Sequence, residues 1–130
     1  MKKFKLAAIT LLISGFAFYS CGGGGTAWVQ DGSSFAGGEE YVTSLGIASD
    51  GSTPYVAYTA LNAGHLNVYE KHFNGADWVQ DGGSLNVDTT RDSMNVSIGC
   101  LGAVPYVTWL ERDSSGGASD TTRIFTKRWR

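Results

Sequence analysis

The chain has 130 residues, 42% of them hydrophobic and 17% charged, with 10 Lys and Arg against 12 Asp and Glu. That length suits a single domain. The acidic balance argues against nucleic acid as a partner, because such binding rests on neutralising phosphates with basic side chains. The basic residues that do cluster, Arg123, Lys127, Arg128 and Arg130, read as a solvated strand face.

Lys2, Lys3 and Lys5 give the N-terminus a positive start, and Leu6 to Tyr19 is an uncharged, mostly apolar run. This is the layout of a secretory signal, and the run is shorter than the roughly 20 apolar residues of a membrane span. Phe18-Tyr19-Ser20-Cys21 resembles the lipobox of bacterial lipoproteins, with Phe18 where that family usually has Leu and Tyr19 where it has a small residue. The resemblance implies that residues 1–20 are removed and that Cys21 carries a lipid. The protein is then exported and anchored at the bacterial cell envelope, on its outer-membrane or periplasmic side. Gly22 to Gly25 would be a flexible tether to the membrane. The alternative is an ordinary signal peptide cut nearby, leaving a free thiol. Removing residues 1–20 takes three of the ten basic residues and none of the twelve acidic ones, so the remaining chain has a formal charge of −5.

From residue 26 onward the sequence alternates short β-prone pieces with turns. Thr26-Ala27-Trp28-Val29-Gln30 is a first short piece, stopped by Asp31-Gly32. Ser33 to Glu40 reads as a loop. Tyr41 to Ala48 is β-prone, and Thr53 to Ala60 is the clearest strand. His65 to Phe73 follows and runs into the hairpin signal Asn74-Gly75. Then the pentapeptide Trp28-Val29-Gln30-Asp31-Gly32 recurs, 50 residues later, as Trp78-Val79-Gln80-Asp81-Gly82. Recurrence at such a period marks a repeat architecture.

The second pass reproduces the first. Val96 to Leu101 aligns with Thr43 to Ala48 through the shared Ser-Leu/Ile-Gly. Pro105 to Trp109 aligns with Pro54 to Tyr58, and Ile124 to Trp129 with Val68 to Phe73. The offset changes only in Gly/Ser/Asp loops, where insertions cost little. No stretch outside the signal has a sustained helical period. The prediction is an all-β fold of two four-stranded antiparallel units over residues 26–130.

These units resemble the short-repeat β-propellers found in bacterial lipoproteins and, more loosely, sialidase-like and fucose-lectin-like propellers. The residues that carry the likeness are the Ser-Leu/Ile-Gly, Pro-Tyr-Val, Val-Tyr-x-Lys and Asn-Gly-x-x-Trp strands. The resemblance implies two propeller blades, whereas a ring needs about 4–8. Either the Trp28 strand completes the last blade of a neighbouring copy in a homo-oligomeric ring, or the chain is the first part of a longer propeller. The role implied is a binding or scaffold module, with a carbohydrate or a protein as ligand. The alternatives are the start of a sialidase- or lyase-like enzyme, or a propeller that only contacts protein.

No catalytic residue, cofactor or metal is expected. Phosphate loops, Cys-x-x-Cys, His-Glu-x-x-His and nucleophile-elbow motifs are missing from the sequence. His65 and His72 are seven apart on one predicted strand and so face opposite sides. Asp31, Asp50, Asp81 and Asp88 sit in turns and lack the dense spacing of a calcium loop. Cys100 lies in an apolar strand and reads as a small buried hydrophobe. Trp28, Trp78, Trp109 and Trp129 read as core between blades. The places to look for ligand contacts are loop residues that differ between the repeats: Glu39, Glu40, Arg91 and Asp92.

Overall fold

The computed structural model describes residues 27–34, 41–113 and 121–130. The signal, Cys21 and the glycine tether lie outside the described residues, as do Glu39 and Glu40. The described chain is all β: β1 (Val42–Ser49), β2 (Pro54–Asn62), β3 (His65–Phe73), β4 (Trp78–Gln80), β5 (Asp92–Leu101), β6 (Val104–Arg112) and β7 (Thr122–Arg128). β1-β2-β3-β4 form one antiparallel sheet and β5-β6-β7 a second.

The expectation of two four-stranded units is therefore corrected to one sheet of four strands and one of three. The difference lies at Trp28-Val29-Gln30, which is not a strand. Its twin Trp78–Gln80 becomes β4 because the edge of β3 lies beside it, pairing Phe73 with Trp78 and Lys71 with Gln80. Among the described residues no strand edge runs beside Trp28, which is 103% exposed. A three-residue piece holds an extended form only where an edge supplies its hydrogen bonds.

A second correction concerns register. Ile47 lies opposite Val56 and Ile98 opposite Val107, so Ile98 is the structural counterpart of Ile47 and not of Leu45. The shared Ser-Leu/Ile-Gly thus misaligns these strands by two residues. A slip of two keeps every side chain on its own face, so the assignment of faces survives. Both strands carry an irregularity near their starts, between Val42 and Ser44 and between Met94 and Ser97; in the second, Asn95 takes a left-handed φ of 56°.

Alternation gives each sheet two faces. In the first sheet Ala57, Thr59, Val68 and Glu70 share a seam face, and Leu45, Ile47, Val56, Tyr58, Tyr69 and Lys71 share the opposite, open face. The second sheet lays Val96, Ile98, Val107, Trp109 and Phe125 on the seam face, forming one core with Ala57 and Val68. Gly46 permits this approach, since a Cβ there would meet the Ile98 side chain at 3.4 Å. Ser44 Oγ accepts the Val96 N–H across the same seam at 3.3 Å.

The two sheets repeat each other in detail. Tyr58 and Tyr69 stack with centroids 5.7 Å apart and planes at 32°; Trp109 and Phe125 do so at 6.0 Å and 31°. Lys71 Nζ lies 6.0 Å from the Tyr58 ring, and Lys127 Nζ 5.9 Å from the Trp109 ring. Both central rings are buried, Trp109 at 0% and Tyr58 at 4% exposure; what the open face of the first sheet leaves to solvent is the neighbouring aliphatic pair Leu45 and Ile47.

Candidate functional site: the seam and its uncovered counterpart

Beyond β4 the chain runs back along β3 before entering the second sheet. Asp81 N–H donates to the Glu70 carbonyl at 3.3 Å, and Leu85 N–H to the Val68 carbonyl at 2.8 Å. Asn86 Oδ1 accepts the Val68 N–H at 2.7 Å, while its amide donates to Ser93 Oγ at 2.8 Å. These bonds satisfy the β3 edge where β4 stops. They also bring Asp81 to β3, where its Oδ2 lies 2.8 Å from His72 Nδ1. Glu70, only 4% exposed, hydrogen-bonds the Asp81 side chain. Its Oε1 has no hydrogen-bond partner.

Glu70 borders a cavity of about 70 Å³ between the sheets, shared with Asp81, Leu85, Val107, Lys127 and Trp129. A space of that size beside two carboxyl groups admits water. Burial pushes the Glu70 carboxyl from 4.5 up to about 8, and the nearby charge of Asp81 pushes the same way. At neutral pH Glu70 is therefore held protonated beside Asp81. Among the described residues no group of three or more His, Cys, Asp and Glu is arranged to hold a metal ion.

The raised pKa fixes the sign of a pH effect. The folded state keeps the Glu70 proton up to about 8, whereas the unfolded chain gives it up near 4.5. Folding therefore takes up a proton between these values, and stability falls as pH rises through that window. Glu70→Gln keeps an amide that donates to Asp81 and cannot ionise. It is expected to flatten this slope and to be more stable than the parent above pH 8 by on the order of a few kcal/mol. Urea denaturation at pH 5, 7 and 9 is the measurement; parallel curves for the two proteins would place the titration elsewhere.

On the far side of the first sheet the same construction stands open. A groove of about 560 Å³ runs along the open face between Leu45, Ile47, Val56, Tyr58, Trp78 and Asp31. Leu45 and Ile47 are 69% and 68% exposed there. Trp78 Nε1 donates to the Asp31 carbonyl at 2.9 Å, and Ser33 N–H to Asp77 Oδ1 at 3.0 Å, which hold residues 31–33 at the rim. Gln30 Nε2 donates to the Gly32 carbonyl at 3.1 Å, just as Gln80 Nε2 does to Gly82 at 2.8 Å. Gly32 and Gly82 take φ of 69° and 80°, a conformation glycine reaches without strain. The turn after the first pentapeptide is thus already formed, although its Trp segment is unpaired.

The residues singled out from sequence do not converge on one site. Arg91 pairs with Asp88 at 3.3 Å and donates to the Thr121 carbonyl at 3.1 Å. Asp92 accepts the Leu66 N–H at 3.0 Å and lies 3.5 Å from His65 Nδ1. Both tie strand ends together. His65 and His72 meet different aspartates. Asp50 accepts N–H bonds from Ser52 and Thr53, which hold its carboxyl down at about 2, as a turn aspartate requires. Cys100 is half-buried, and burial pushes its thiol up, the reverse of activation.

The tryptophans separate. Trp109 is core, Trp78 packs half-buried on Val56, Tyr58 and Ala60 at the groove, and Trp28 and Trp129 are exposed, which corrects the reading of those last two as core. Two residues went unremarked in the sequence, Glu70 and Glu111, both buried. Alternation held the signal: Glu70 shares a strand face with Val68, and Glu111 with Val107 and Trp109.

The chain matches no family model, and no curated protein or solved structure matches it.

Proposed function

We propose that the chain is an exported, lipid-anchored scaffold that binds protein at the bacterial cell envelope, with its two sheets acting as blades of the propeller type. The observation that carries the proposal is the repeated face. Trp109 and Phe125 of the second sheet pack on the seam with Lys127 over the indole, while Tyr58, Tyr69 and Lys71 form the same arrangement on the face that leaves Leu45 and Ile47 exposed. Propeller blades stack in this way because each must bury its face against the next. The exposed Leu45 and Ile47 beside that row suit another polypeptide, which offers apolar side chains and strand hydrogen bonds. That favours a protein partner over a carbohydrate, whose hydroxyls need polar groups set around the rings.

The anchor is tested by labelling cells with a radioactive fatty acid. The full-length chain is expected to take up label and fractionate with membranes, and Cys21→Ser to lose both. Labelled Cys21→Ser protein would overturn the anchor, and saturable binding to a purified envelope glycan would overturn the protein-contact reading.

A further inference from the structure

Building on the blade reading, we propose that the open face is covered by a second copy of this chain, docked head to tail. The first sheet of one copy lies on the far face of the other copy's second sheet. Trp28-Val29-Gln30 of the first copy then becomes a fourth strand beside β7.

The chain itself contains the template. Three features join its first sheet to its second. β4 pairs with the edge of β3. Asp81, just after β4, meets His72 at 2.8 Å. The seam face, with Ala57, Thr59, Val68 and Glu70, receives the aromatic row of the next sheet.

Each feature has an unused counterpart one repeat away. The outer edge of β7 has no strand beside it among the described residues, and Trp28–Gln30 has no edge. Arg128 stands where His72 does, since Tyr106 pairs with Arg128 as Tyr55 pairs with His72. Asp31 stands where Asp81 does in the repeated pentapeptide. On the far face of the second sheet, Thr108, Leu110, Ile124 and Thr126 occupy the places of Ala57, Thr59, Val68 and Glu70. Ile124 there is 73% exposed.

Carrying the internal geometry across two copies gives a definite register. Trp129, Arg128 and Lys127 of one copy pair with Trp28, Val29 and Gln30 of the other, as Phe73, His72 and Lys71 pair with Trp78, Val79 and Gln80 within the chain. Arg128 meets Asp31, an ion pair of opposite charges where His72 and Asp81 meet internally. Thr126 in place of Glu70 means that docking buries no second carboxyl pair. The turn at Gly32 is preformed, so the incoming segment is ordered at little further cost. The contact is heterologous, with different surfaces on the two copies, and it closes into a ring where the rotation permits.

The test uses the full-length chain in detergent, in a Cys100→Ser background, with Gln30→Cys and Lys127→Cys carried on separate chains. Paired strand positions lie within reach of a disulfide. The mixed chains are expected to form a disulfide dimer on mild oxidation, and each chain alone to form none. Asp31→Arg and Arg128→Asp are each expected to weaken association about tenfold or more, and the two together to restore it. Dimers as abundant in either single sample as in the mixture would overturn the head-to-tail arrangement. A folded monomer by sedimentation, with no cross-link, would overturn docking altogether. Fatty-acid labelling of the same samples separates the two readings: labelled monomers leave the anchored scaffold standing, whereas unlabelled cross-linked dimers leave the docking standing.

Discussion

Replacing Trp109 with alanine is expected to lower stability by about 3–5 kcal/mol, a loss comparable with the whole net stability of a small domain. Trp109 is 0% exposed and sits at the centre of the core that joins the sheets. Its ring stacks with Phe125, and its indole N–H donates to Glu111 Oε1 at 3.0 Å. Alanine removes that contact area, opens a cavity between two sheets that cannot close onto it, and takes a donor from a buried carboxylate. The informative comparison is Tyr58→Ala. Tyr58 holds the equivalent place on the open face, stacked on Tyr69. There the neighbours border a groove and can relax into it, so a loss of about 1–3 kcal/mol is expected. Urea midpoints at constant slope measure both. A Trp109→Ala protein at least as stable as Tyr58→Ala would show that the seam is not the principal core.

The contrast between these two aromatics marks what the sequence made legible. Alternation and the pentapeptide repeat were enough to locate six of the seven strands to within a few residues and to pair Tyr58 with Trp109. They could not show which copy of the aromatic row would pack against a second sheet, because that depends on which sheet has a neighbour on that face. Trp28 and Trp78 sit in identical pentapeptides, and one is a strand only because β3 lies beside it. Local sequence has no access to that difference. The Ser-Leu/Ile-Gly match misled by two residues for a related reason. Hydrogen-bond register is fixed by the whole hairpin and the irregularity at its far end, not by a three-residue likeness.

The buried carboxyls were the least visible feature. Glu70 and Glu111 each fall on an inward position of an alternating strand, where a charged residue is usually a sign of a paired or hydrogen-bonded group. What receives them is supplied from distant loops. Asp81 comes to Glu70 from beyond β4, and Val87 and Asp88 come to Glu111 from the connector between the sheets. The Asp88 turn could be read from sequence as a turn; its backbone serving as a ligand for Glu111 could not. The polar joints of the seam are therefore properties of the connector's path rather than of any motif.

Glu111→Ala is the second large effect expected, a loss of roughly 3–5 kcal/mol, because it strips three donors, the buried Trp109 indole among them, of one acceptor. The carboxylate is 0% exposed, yet it receives the Val87 N–H at 2.6 Å, the Asp88 N–H at 3.1 Å and the Trp109 indole N–H at 3.0 Å. It thereby fastens the connector to β6 and fixes the indole that fills the seam. Glu111→Gln keeps an acceptor for Val87 and Trp109 but turns an amide NH₂ toward the Asp88 N–H, so a smaller loss of about 1–3 kcal/mol is expected. The order Ala above Gln is the signature of a hydrogen-bond hub; a purely steric role would make Gln nearly neutral. Because Trp109 and Glu111 share a bond, the double variant Trp109→Ala/Glu111→Ala should lose less than the sum of the single losses. Amide exchange gives the local readout: protection at Val87 and Asp88 should fall in Glu111→Ala before the strands of the first sheet are affected. A Glu111→Ala protein within about 0.5 kcal/mol of the parent, with exchange at Val87 unchanged, would mean that water replaces the carboxylate at no cost and that the connector is held by other bonds.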